Sequence, residues 1–182
     1  MTIENQFFSN QKTRSGFVAI IGAPNAGKST LMNFIVGAKV SIVTPKVQTT
    51  RTRIKGIAMV ADSQIIFIDT PGIFAPKRRL DRAMVNAAWQ GTDEADIILL
   101  LHDSARSSSD EETENIINRI ENIQREFPNR KFALILNKID LIRPEDLLGK
   151  ASKLAKITNF EKIFMISAKK GKGVKDLVRW LA

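Results

Sequence analysis

Four short stretches hold side chains whose types and spacing suit polyphosphate chemistry. The first, "GAPNAGKST" at residues 22–30, fits GxxxxGKS. It follows an apolar, β-branched run and opens a helix-like segment, the setting in which such a loop cradles phosphate. Gly22 and Gly27 let the backbone curl so that successive N–H groups point at phosphate oxygens, and the residues they bound, Ala23, Pro24, Asn25 and Ala26, are expected to line the nucleotide. The positive end of the following helix, from Lys28 through Ser29 and Thr30, adds to the attraction. The Lys28 ammonium reaches the β- and γ-phosphates, and the Ser29 hydroxyl is placed to ligate Mg²⁺, a hard cation that prefers oxygen.

The second, "DTPG" at 69–72, ends another apolar run 41 residues after Lys28. Asp69 is expected to hold the magnesium through a water, at the strand end where open α/β folds bind ligands. Gly72, without a Cβ, can turn its N–H toward a γ-phosphate. Between these stretches, "VTPKVQTTRTRIKG" at 43–56 shows little periodicity and carries two adjacent threonines. Thr50, preferred to Thr49, completes the magnesium shell in this reading, and loss of the γ-phosphate would release the segment.

The third and fourth stretches select a base. "NKID" at 137–140 places Asp140 to accept two hydrogen bonds, from a guanine N1–H and its 2-amino group. Adenine offers neither donor, so rejection of ATP could reach roughly 10⁴-fold. Asn137 can bond the other purine edge and brace the loops, while the Lys138 stem lies over the ring. In "SAK" at 167–169 (Ser167, Ala168, Lys169), the Ala168 N–H is expected to donate to guanine O6. The implied cofactors are GTP or GDP and Mg²⁺.

These stretches need a scaffold. Five nearly continuous apolar runs, at 17–22, 64–69, 96–101, 131–137 and 161–167, read as strands buried on both faces. Residues 53–60 add a sixth strand, turned by Asp62-Ser63 into the run at 64–69, which predicts one antiparallel edge strand. Helices are expected from Lys28, from Leu80, over the serine-capped, acidic-started stretch 107–127, from Pro144, and over 173–182. The fold class is therefore α/β: one doubly wound, mostly parallel six-stranded sheet, at 16–182, behind a flexible lead at 1–15.

Composition narrows the setting. The chain has 182 residues, 43% of them apolar, and no cysteine, which excludes disulfides, thiol catalysis and cysteine-ligated zinc. No apolar run approaches the roughly 18 residues of a membrane span, and no signal peptide is evident, so a cytoplasmic protein is expected. The net charge of +9 is uneven: residues 1–90 hold 12 Lys+Arg against 4 Asp+Glu. That excess suits a polyanion such as nucleic acid, an anionic membrane or nucleotide phosphates. His102, the single histidine, reads as structural or solvated.

GAPNAGKS, QTTR, DTPG, NKID and SAK resemble, in order and context, the motifs of the translation-factor-like GTPases, and residues 22–57 look like the Era-like members. The resemblance implies a monomeric P-loop GTPase domain whose full-length relatives carry a C-terminal KH domain for 16S rRNA. It also implies a role in small ribosomal subunit assembly and peripheral contact with the inner membrane. The loop "KKGKGVK" at 169–175 lacks GXXG and is not that KH clamp. Lys28, Asn25, Thr50 and Gly72 are the expected catalytic residues. Ile73, after DTPG, cannot orient a water, and by likeness to potassium-activated relatives the Asn25 side chain would instead ligate K⁺ against the phosphates. Two alternatives stay open: a GTP/GDP-gated binding module with negligible hydrolysis, and a sister GTPase of tRNA-modification type.

Overall fold

The computed structural model describes residues 13–38, 54–68, 92–106, 111–156 and 158–182. Its strands are β1 (Arg14–Ile21), β2 (Ile54–Val60), β3 (Ser63–Ile68), β4 (Ile97–Asp103), β5 (Lys131–Asn137) and β6 (Lys162–Met165). Its helices are α1 (Lys28–Ala38), α2 (Glu111–Glu126), α3 (Pro144–Ala155) and α4 (Val174–Leu181). The strands form one six-stranded sheet in the order β2-β3-β1-β4-β5-β6. Every pairing is parallel except that of edge strand β2 with β3.

The apolar runs are continuous because the sheet is covered twice. Side chains alternate across a strand, so each face needs its own apolar set. Val18 and Ile20, Leu99 and Leu101, and Ala133 and Ile135 pack on one face with Leu31 and Ile35 of α1 and Val174 and Leu177 of α4. Ala19 and Ile21, Ile98 and Leu100, and Leu134 and Leu136 pack on the other with Ile116, Ile117 and Ile120 of α2 and Leu147 and Leu154 of α3. Full burial of one such isoleucine or leucine contributes about 1.5–3 kcal/mol. The isoleucines of α2 are buried in this way, whereas in α3 Leu147 and Leu154 are buried and Leu148 stays exposed.

Several boundaries differ from the sequence expectation. β1 begins at Arg14, whose N–H donates to the Asp62 carbonyl at 2.9 Å, so two residues assigned to the lead belong to the sheet. The β2–β3 turn is Ala61-Asp62, since Ser63 already pairs with Val60; a two-residue connection of this kind needs positive φ, and Ala61 has φ 50°. β4 extends to Asp103, because His102 and Asp103 pair with Leu136 and Asn137 although they end the apolar run. The helix expected from Leu80 and the serine caps before α2 lie outside the described residues. Among the described residues no helix is long and apolar enough to cross a membrane.

Candidate nucleotide-binding site

The loops after β1, β4, β5 and β6 leave the same edge of the sheet, because these strands run parallel. β1 lies centrally, with β3 on one side and β4 on the other, so the chain order reverses beside it. Ligands of open α/β sheets bind in the crevice at such a point.

The loop from Gly22 to Gly27 links β1 directly to α1. Gly27 accepts the first helical bond, from the Leu31 N–H at 2.9 Å, at φ 104°. A Cβ there would lie 2.3 Å from Asn137 Nδ2, so backbone and neighbour both require glycine. Gly22 abuts the Leu101 carbonyl. Asn25 is exposed, with left-handed φ of 63°. Lys28 Nζ donates to the carbonyls of Gly22 at 2.9 Å and Ala23 at 2.8 Å, which folds the ammonium back across the loop. Ser29 and Thr30 are exposed on the first turn of α1. That turn contains no acidic residue of its own, and the N-terminal end of a helix attracts anions.

Asn137, the last residue of β5, is buried and joins two loops. Its Nδ2 donates to the Ala26 carbonyl at 2.8 Å, and its Oδ1 accepts from the Ala168 N–H at 2.9 Å. The bracing role expected of it is present. The Ala168 N–H, expected to serve guanine O6, already has an acceptor here, so donation to a base would have to be shared with Asn137.

Lys138 turns the chain with φ 63° and ψ 35° into a short 3-10 turn, Ile139–Leu141. Its Nζ meets Asp103 Oδ2 at 2.7 Å. This pins the lysine head, a constraint the expectation of a stem over the ring did not include. The Ile139 N–H donates to the Ile166 carbonyl at 3.2 Å, tying the turn to the end of β6. Asp140 is thereby set beside Ser167 and Lys170. The Ser167 hydroxyl, chiefly, holds the Asp140 carboxyl below its ordinary range, although partial burial pushes the other way; Lys170 Nζ, 3.7 Å from Oδ2, adds to the lowering. An ionised, fixed carboxylate of this kind suits a ligand edge that carries only donors. Lys169 is exposed on the same loop.

Thr49, Thr50, Asp69, Gly72 and Ile73 lie outside the described residues. Sequence reasoning did not single out Asp103; the available signal was a carboxylate ending a buried strand. His102 is buried rather than solvated, with Nδ1 3.3 Å from Thr113 Oγ1, and belongs to the packing between β4 and α2.

A glycine-bounded anion cradle, an ionised carboxylate on a fixed turn and an asparagine brace between them define a P-loop GTPase domain. Residues 17–138 match the family model described as "50S ribosome-binding GTPase", and the chain belongs to that family. It is 52% identical over 171 residues to GTPase Era of Brucella suis, covering 94% of this chain and 53% of that protein. A solved structure of Era with MgGDPNP and nucleotides 1506–1542 of 16S ribosomal RNA superposes with a TM-score of 0.74 at 38% identity, over 93% of this chain and 56% of that one. An Aquifex aeolicus Era variant bound to GDP·AlF4⁻ gives 0.72 at 38% identity, over 92% and 56%. The expected likeness to Era-like GTPases is borne out, and the chain spans about half the length of these relatives.

Proposed function

We propose that this chain is the nucleotide-binding part of a cytoplasmic GTPase that converts GTP to GDP and phosphate and changes state as it does so. The observation that carries this is the pair of Asn137 bonds, which fixes the phosphate loop and the base loop relative to each other, with Asp140 set beside Lys170 of the base loop. Asp140 accepts from the guanine N1–H and 2-amino groups. Lys28, released from its loop carbonyls, and the amides of residues 22–29 hold the phosphates. Ser29, with Thr50 and Asp69, would hold Mg²⁺, which neutralises charge developing on the phosphate oxygens. Gly72 contributes its N–H to the γ-phosphate.

Asn25 would hold K⁺ against the phosphates, which supplies a positive charge of the kind an arginine finger provides, worth roughly 10³–10⁵ in rate. Asn25 is exposed in that loop, at a left-handed φ of 63°, which supports a side chain open to a ligand. Likeness to an Era bound to a 16S rRNA fragment supports action in small ribosomal subunit assembly, with RNA contact mainly through a KH domain of the full-length protein. The same reading carries a monomeric G domain that begins with β1 at Arg14, and peripheral contact with the inner membrane.

The test is Asp140→Asn, which removes the acceptor for the 2-amino group. Preference should shift from GTP to XTP; unchanged preference for GTP would refute the base assignment. Single-turnover kinetics with and without small ribosomal subunits separates an enzyme from a gated binding module.

A further inference from the structure

α1 carries a large apolar residue that the sheet does not use. Leu31, Met32, Ile35 and Val36 are buried against the sheet, whereas Phe34 lies off that face and stays 38% exposed. Its ring rests instead on the loop between β6 and α4. A Cβ built on Gly171 would lie 2.3 Å from Phe34 Cζ and 2.8 Å from Cε2, so the ring occupies the space a side chain would need. Gly171 also has φ 73°, a conformation that L side chains adopt with strain. Two separate requirements for glycine therefore coincide where the aromatic ring lands.

The loop under that ring is the one that frames the base. Its Ser167 hydroxyl and Lys170 ammonium act on Asp140, and the Lys170 N–H donates to Ser167 Oγ at 3.2 Å. Its far side is closed by the Ser167 N–H bond to the Lys172 carbonyl at 3.0 Å. The opposite end of α1 is the phosphate cradle. Phe34 thus joins the helix that begins at the phosphates to the loop that orients the base-reading carboxylate.

We infer that Phe34 is a positioning residue for guanine recognition, acting through Gly171 to hold Ser167 and Lys170 against Asp140; this rests on the guanine reading of the site. Removing the ring frees the loop tip, so the Ser167 and Lys170 contacts become intermittent. Asp140 is then less well aimed at the two donors on the guanine edge. Phosphate binding, set by the other end of α1, is left largely intact.

The test measures affinities of the full chain for GDP, IDP and ADP; IDP lacks the 2-amino group that Asp140 reads. Phe34→Ala should lower the GDP:IDP affinity ratio about three- to tenfold, the range of a contact-mediated coupling. Phe34→Leu, which keeps an apolar contact, should restore most of it. A residue that only filled space would weaken both diphosphates alike, and an unchanged ratio in Phe34→Ala would overturn the inference while leaving the guanine reading intact. Ser167→Ala should lower the ratio by itself, and adding Phe34→Ala to it should change the ratio little further; full additivity would overturn the proposed route. Should Phe34→Ala fail to fold, Phe34→Gln removes the apolar ring contact while keeping a good helix former, and an unchanged GDP:IDP ratio in Phe34→Gln would likewise overturn the inference. A wild-type chain that did not prefer GDP over ADP would overturn the guanine reading itself, and the inference with it.

Discussion

Truncating Asn137 to alanine removes a donor and an acceptor at once. The groups left behind are the Ala26 carbonyl and the Ala168 N–H, in residues that are 0% and 2% exposed. A buried polar group stranded in this way costs about 1–3 kcal/mol. Two of them give about 2–6 kcal/mol, with the lower end applying if a water enters the space and bridges them. Domains of this kind are stable by about 5–15 kcal/mol, so the loss is a large share of the whole. At about 2–4 °C per kcal/mol for a domain of this size, melting should fall by roughly 5–20 °C. The measurement is urea unfolding of the nucleotide-free protein, followed by circular dichroism. Bound nucleotide must be absent, because it stabilises the folded form by mass action and would mix loss of affinity with loss of bracing. A lower midpoint at unchanged slope is the expected result. If nucleotide-free Asn137→Ala unfolded within about 0.5 kcal/mol of the parent while losing GDP, the asparagine would act on the base alone and the bracing argument would be wrong.

Two further outcomes concern protons and cations. The Asp140 carboxyl is held below its usual value of 3.8, first by the Ser167 hydroxyl. A carboxylate whose folded pKa is depressed contributes stability that is present above its unfolded pKa and disappears as pH falls through the folded one. Carboxyl NMR should therefore show Asp140 titrating below 3.8, and Ser167→Ala should raise that midpoint; a midpoint at or above 3.8 in the parent would contradict the hydrogen-bond assignment. Turnover should be faster in KCl than in NaCl at equal ionic strength, and Asn25→Ala should abolish the difference; stimulation that survives the substitution would remove the cation role.

The fold was legible because its elements are locally consistent. Strands buried on both faces must be apolar throughout, so β4 and β5 announced themselves as short continuous runs. α3 was marked by Pro144 at its first position. Boundaries were less legible where polar residues continue a ladder. His102 and Asp103 end β4 because β5 pairs with them, and no local pattern says so. The candidate residues at 22–30 and 137–140 were legible because a phosphate cradle and a reader of a donor-rich base edge call for those types at those spacings. The partners of Lys138 and Phe34 were not, since Asp103 and Gly171 are 35 and 137 positions distant in the chain.

The amino-acid sequence by itself determined the chemistry on offer: a glycine-bounded cradle, a lysine and a serine at a helix start, and a carboxylate suited to a donor-rich base edge. It also determined the alternation of strands and helices, since period and composition are local properties. Only the tertiary structure decided how those groups bear on one another. It joins Asn137 to two loops at once, pins Lys138 to Asp103, and seats the Phe34 ring on the loop beside Asp140. The physical reason is that hydrogen bonds and ring contacts act over a few ångströms in space, and sequence separation does not encode which distant residues come that close.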